Sequence, residues 1–199
     1  MRCMKIRTLV LVVSAFVFAS VAAATSDKTD IATGTDLGQR LPQFTASAID
    51  VSSGKVVEFD SRKTTRPTID IFIGTNCPAT AAYAERLTEL EKTYGPKGVE
   101  FVYFYPNNED TKEAALAFHK QKKLTGRLVH DQGAQLARLF KAQRTTELFL
   151  VNKDGVIVYH GAIDDSRDPS AVKEHYLAKA LDELLAGKPI TTASSQVRA

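Results

Sequence analysis

Apolar and polar positions along this chain change their period several times, and each change marks a new element. QFTASAID, the turn Ser52-Ser53-Gly54-Lys55 and VVEFD read as two short strands around a tight turn. Arg66-Pro67 introduces TIDIFIG, a β-branched apolar run of the kind found in a central strand. The period then becomes helical from Pro78, which suits a first helical position because its missing N–H has no partner to lose there. Tyr83, Leu87, Leu90 and Tyr94 form one stripe, Glu85, Arg86, Glu89 and Lys92 lie elsewhere on the cylinder, and Gly95-Pro96 ends the helix.

VEFVYFY predicts another strand, and Pro106-Asn107-Asn108 turns the chain into an alanine-rich helix with Asp110 and Glu113 spaced as a capping box. RLVHD is a short strand and GAQLARLFKAQ a short helix. LFLVN, Lys153-Asp154-Gly155 and VIVYHG form a hairpin. Asp168-Pro169-Ser170 opens a last helix on Val172, Tyr176, Leu177, Leu181 and Leu184, ended by Gly187 and Pro189. Early βα alternation implies parallel central strands, and the late hairpin adds antiparallel ones. The expected fold is a mixed central sheet in a three-layer α/β/α sandwich.

The N-terminus changes the picture of charge and compartment. Arg2, Lys5 and Arg7 precede an apolar run from Leu9 to Ala23, and Ala22-Ala23-Ala24 offers a small-residue cleavage site. This is the pattern of a secretory signal peptide over 1–24, and the run falls short of the roughly twenty residues a membrane span needs. Cleavage removes three basic and no acidic residues, so a formal charge of +3 falls to 0. Nothing then argues for nucleic acid, and no stable membrane anchor is expected after cleavage. The expected location is periplasmic or extracellular. Residues 25–40 read as a mobile lead-in, 41–187 as one domain and 188–199 as a disordered tail. Cys3 leaves with the peptide, so of two cysteines only Cys77 remains, and no intramolecular disulfide can form.

Cys77 falls in GTNCPAT, where a buried strand ends and a helix begins. Free N–H groups and the helix dipole favour an anion at that corner, which lowers a thiol pKa and enriches the nucleophilic thiolate. The alternative is an inert core cysteine, against which the position at the carboxyl edge of a sheet argues.

These segments together resemble the thioredoxin-like superfamily, in its redoxin branch of alkyl hydroperoxide reductase/thiol-specific antioxidant proteins and exported thiol-disulfide reductases. SSGKVVEFD resembles the branch's opening hairpin, and TIDIFIGTNCPAT its strand leading into the active site. RTTELFLVNKDGVIVYHG resembles its Thr-Pro, strand, turn and strand stretch; the likeness spans 41–186. It implies a thioredoxin-like fold, Cys77 as the reactive residue, thiols, disulfides or peroxides as partners, and no cofactor or metal.

Three departures qualify the implied activity. The reductases carry Cys-x-x-Cys, whereas the second position here is Thr80, so Cys77 has no internal resolving thiol and an external thiol must reset it. Thr80 either donates a hydroxyl hydrogen bond to the thiolate or serves only the first helical turn. The family's cis-proline position, after Thr145, is Thr146, and a non-proline cis bond costs about 2.5–4 kcal/mol, so a trans or reshaped loop is expected. Peroxiredoxins place a threonine three residues before the cysteine; here that position is Gly74 and the nearest hydroxyl is Thr75. Arg144 is either a thiolate partner or a solvated surface arginine. Thr75, Asn76 and Thr145 are the residues expected to bind substrate around Cys77, with Thr80, Thr146 and Arg144 assisting it. The competing function is a redoxin fold kept as a non-catalytic binding module.

Asp70 interrupts an apolar strand on the face of Thr68 and Phe72, and reads either as a proton carrier for Cys77 or as a hydrogen-bonded or edge-exposed carboxylate. His119, His130, His160 and His175 fall in separate elements and have no metal-ligand spacing with Cys77.

Overall fold

The computed structural model describes residues 34–197. The signal-peptide segment and residues 25–33 of the lead-in lie outside them. Seven strands and four helices follow in the order β1 (Thr45–Ile49), β2 (Val56–Asp60), β3 (Thr68–Phe72), α1 (Pro78–Tyr94), β4 (Glu100–Tyr105), α2 (Lys112–Lys122), β5 (Arg127–His130), α3 (Gln135–Phe140), β6 (Leu148–Val151), β7 (Ile157–Gly161) and α4 (Tyr176–Leu185). The strands form one sheet in the order β2-β1-β5-β4-β3-β6-β7. Its centre, β5-β4-β3, is parallel, and β1 and β6 join it antiparallel. This is the mixed α/β/α sandwich expected from the pattern.

The two faces of the sheet bury different side chains because residues alternate along each strand. Ile69 and Ile71 of β3 with Phe101, Tyr103 and Tyr105 of β4 meet Tyr83, Leu87 and Tyr94 of α1, Phe118 of α2 and Leu177 and Leu181 of α4. Phe72, Val102, Phe104, Phe149 and Ile157 face the other way, onto Ala137 and Phe140 of α3, with Phe59 and Leu41 closing the side. The Phe72 ring stacks on Phe104 at 5.1 Å between centroids and meets Phe140 edge-on at 5.3 Å. Each large side chain so buried contributes about 1.5–3 kcal/mol relative to exposure.

Polar groups inside this frame fix how the helices dock. Glu91, on the buried face of α1, accepts from the Tyr103 hydroxyl (2.7 Å), from Thr125 N and Oγ1 (2.6 and 2.8 Å) and from Gly126 N (3.0 Å). A buried carboxylate is tolerable when its lone pairs are so filled, and here it ties α1 to the turn before β5. Arg86, expected on the polar side of α1, instead pairs with the buried Asp164 and donates to the carbonyls of Ser166 and Arg167.

Four expectations are corrected. The cap of α2 is Thr111, whose hydroxyl accepts from Ala114 N at 3.1 Å, so Asp110 is free for another task. Asp168 caps only a 3-10 turn, Pro169–Ala171, and α4 begins separately at Tyr176. The ordered chain extends beyond 41–187 at both ends. Arg40 bridges to Val156, and Gly38 N donates to Ile157 O at 2.9 Å. The segment expected to be disordered docks on the edge strand β7 as far as it is described. His160 N donates to Ala193 O (3.0 Å), Ser195 N donates to His160 O (3.2 Å), and Ser195 Oγ meets the Tyr159 hydroxyl and Ala162 N. An edge strand leaves alternate N–H and C=O groups unpaired, and any chain with matching reach is drawn to them. Among the described residues no helix is long and apolar enough to cross a membrane.

Candidate functional site around Cys77

The end of β3 delivers the chain to the carboxyl edge of the parallel strands, and α1 starts there. Cys77 is the N-cap residue of α1, in extended conformation with Pro78 following it, and its carbonyl accepts the first helical bond from Ala81 N at 3.1 Å. The thiol is half-buried. Burial pushes its pKa up, but the Thr145 hydroxyl, the backbone N–H groups of Thr80 and Ala79 and the Thr80 hydroxyl push harder the other way. The result lies below the ordinary thiol value. None of the first-turn donors makes a close hydrogen bond to the neutral thiol. The free N–H groups of a helix start favour an anion there.

Thr80 is fully buried, and its Oγ1 accepts from Gly74 N at 3.2 Å. Its oxygen thus closes the turn that carries Cys77. Thr75 is committed elsewhere: both its N–H (2.9 Å) and its hydroxyl donate to Asp110 Oδ1. The other oxygen of Asp110 accepts from Asn107 Nδ2 at 2.8 Å. Gly74 allows this contact, since a Cβ there would lie 2.4 Å from Asn107 Nδ2. Asn76 is exposed beside Cys77.

The facing loop brings Thr145 to the sulfur. Among the described residues there is no cis peptide, so Thr145-Thr146 is trans, and Thr146 takes φ +68°. That is left-handed backbone, which costs a side-chain-bearing residue about 1–2 kcal/mol. Thr146 N donates to Phe72 O at 2.7 Å and Phe72 N to Glu147 O at 3.0 Å, which stitches the loop to β3. Glu147 is buried. Its Oε2 accepts from Gln143 N (2.7 Å) and Arg144 N (3.1 Å), and its Oε1 lies 2.7 Å from His160 Nε2. The Arg144 guanidinium is exposed and makes no ion pair or hydrogen bond among the described residues. It stands on the wall between two hollows. One of about 490 Å³ is lined by Glu147, His160 and residues 195–197, and one of about 250 Å³ by Phe72, Asn107, Ala137, Ala142 and Thr145.

Asp70 has the burial and raised pKa that a proton carrier needs, and not the hydrogen bonds or edge exposure of the other reading. It is fully buried, and neither oxygen has a hydrogen-bond partner of good geometry. Burial first, then the field of Glu100, push its pKa up to about 8, against a small lowering from the Thr68 hydroxyl. It therefore is not an edge-exposed or satisfied carboxylate. Its register neighbours Val102 and Phe149 belong to the α3 side of the sheet, whereas α1 lies on the other.

Sequence reasoning missed Asp110, Asn107, Glu147 and His160. Asp110 was read as a helix cap, although its place after β4, beside the strand that carries Cys77, was a usable signal. Glu147 heads an apolar strand, where an isolated carboxylate calls for buried donors.

The family model for redoxin matches residues 36–179. The chain belongs to the redoxin family. Among solved structures, it is similar to an uncharacterized conserved protein from Geobacillus kaustophilus, with 28% identity, 82% of this chain and 88% of that one covered, and a TM-score of 0.71. A hypothetical protein from Sinorhizobium meliloti 1021 is similar at 26% identity, over 81% and 90% of the two chains, with a TM-score of 0.69. A secreted Mycobacterium tuberculosis disulfide oxidoreductase shares the thioredoxin-like fold at 19% identity, over 72% and 92%, with a TM-score of 0.50. No curated protein matches the chain. Cys77, Thr80 and Thr146 all lie within the span that the redoxin model matches.

Proposed function

We propose that this redoxin is an exported monothiol redox protein, in which the Cys77 thiolate attacks a disulfide or a peroxide and an external thiol restores it. The observation that carries the reading is Cys77 as the N-cap of α1 with a half-buried thiol, where the Thr145 and Thr80 hydroxyls and two helix-start N–H groups together hold its pKa below the ordinary value against burial. In the disulfide reaction an S–S bond forms between Cys77 and one substrate sulfur, and the other sulfur departs as thiolate. A second thiol attacks the mixed disulfide, releasing Cys77 as thiolate and a new disulfide. In the peroxide reaction the sulfur takes one oxygen, the O–O bond breaks, and an alcohol or water departs. The resulting sulfenic acid condenses with a thiol, losing water, and a second thiol completes the reduction. Export is supported by the basic, apolar and small-residue pattern of residues 1–24.

The lack of a second cysteine three positions along, where Thr80 stands, favours long-lived mixed disulfides over internal release. Thr80 Oγ1 accepts from Gly74 N, and a hydroxyl there cannot act as a resolving thiol.

The test is the thiolate absorbance of mature protein against pH, with Cys77→Ser as the blank. A midpoint well below the free value of about 8.5 is expected, with mixed disulfides trapped from small disulfides. A midpoint at or above that value overturns the reading and leaves a binding module.

A further inference from the structure

The loop that brings Thr145 to Cys77 cannot hold its own shape. Its internal closure is one long bond, Glu147 N to Arg144 O at 3.3 Å, and Thr146 within it sits at φ +68°. A β-branched residue stays in left-handed backbone only where the surroundings over-determine it. The backbone bonds to Phe72 hold Thr146 itself, and the Glu147 side chain holds the residues before Thr145. One carboxylate oxygen gathers the N–H groups of Gln143 and Arg144, the two residues immediately before Thr145, at 2.7 and 3.1 Å. The other oxygen meets His160 Nε2 at 2.7 Å.

His160 is itself held from three directions. Its ring stacks on Phe149 at 4.3 Å with 8° between planes, and its backbone N–H and C=O are both taken by the docked segment at Ala193 and Ser195. Burial raises the Glu147 pKa, but the bonds from His160, Gln143 and Arg144 outweigh it, so the carboxylate is ionised near neutrality. Charged acceptors make the stronger hydrogen bonds. The chain of contact is continuous from the docked C-terminal segment through His160 and Glu147 to the loop.

We infer that Glu147, clamped by His160, is a positioning residue that aims the Thr145 hydroxyl at the Cys77 sulfur. This rests on the reading of Cys77 as the reacting group. Glu147 touches no reacting atom; it acts through two backbone N–H groups. The docked segment thereby becomes part of the machinery, because it holds the backbone of the residue whose imidazole meets the carboxylate.

The experiment compares Cys77 thiolate titrations in mature wild type, Thr145→Val, Glu147→Ala, and the Glu147→Ala/Thr145→Val double variant. Thr145→Val is expected to raise the midpoint by about one pH unit, which is a tenfold loss of thiolate below it. Glu147→Ala is expected to do the same, Glu147→Gln to recover part of the loss, and the double variant to match Thr145→Val alone. Midpoints that stay at the wild-type value in Glu147→Ala, or shifts that add in the double variant, overturn the inference. If Glu147→Ala does not fold, His160→Leu replaces it, since Glu147 then keeps both N–H contacts and loses only its clamp. Amide exchange at Gln143 and Arg144 separates the two levels of the argument. If wild-type Cys77 titrates as a free thiol, the reactivity reading fails. The positioning of the loop then stands or falls on whether those two amides exchange faster in Glu147→Ala.

Discussion

Asp70 gives the sharpest quantitative handle on this fold. An acid whose folded pKa of about 8 stands above an ordinary value of 3.8 binds its proton more tightly in the folded state. Its stabilising effect is complete below 3.8 and is lost as pH rises through 8, at about 1.4 kcal/mol per pH unit between the two. At pH 7 the loss is about 4 kcal/mol, a large part of the 5–15 kcal/mol by which a domain is stable. The cause is geometric: the carboxyl group sits mid-strand in β3 between Val102 and Phe149, with no partner of good geometry for either oxygen. Asp70→Asn keeps the shape and removes the titration. Urea unfolding of both proteins at pH 5, 6, 7 and 8 is the assay, followed by circular dichroism because the chain has no Trp. Between pH 5 and 7 the wild type is expected to lose about 3 kcal/mol more than Asp70→Asn. Asp70→Val, which suits a buried strand, should be the more stable protein at pH 7. Parallel pH profiles for wild type and Asp70→Asn would refute the reasoning.

Two further substitutions test the loop and the docked segment. Thr146→Pro restores the residue type that the family's pattern places there, yet it should destabilise by about 2 kcal/mol or more. Proline has no N–H to give Phe72 O and cannot adopt φ +68°; an unchanged or higher urea midpoint would show that the loop adapts. Gly161→Ala places a Cβ 2.4 Å from Ser195 O and 2.5 Å from Ser195 Oγ, so residues 193–195 should lift from β7. Faster amide exchange at Ala162 and Ser195 is the expected sign, and unchanged exchange would count against docking in solution.

How much of this was legible beforehand depends on the range of the forces involved. Strand and helix periods, the Pro78 helix start and the Asp-Gly hairpin are written in neighbouring residues, and they sufficed for the layered mixed sheet and for Cys77 at the helix cap. The end of the Asp168 helix was not legible, because a cap and proline begin a turn that only packing can prolong, and the first apolar anchor of α4, Leu177, comes too late.

The amino-acid sequence by itself determined the architecture and the place of Cys77 at a helix start, since periodicity and capping act within a few residues. Only the tertiary structure decided what surrounds that thiol. Asp110 reaches Thr75 from the turn after β4, Glu147 gathers the loop while His160 and residues 193–195 brace it, and Asp70 turns away from α1. Each of these is a buried or half-buried polar group seeking partners far along the chain. Burial raises the cost of an unmet hydrogen bond, but which distant group meets it is settled only when the sheet has brought the strands together.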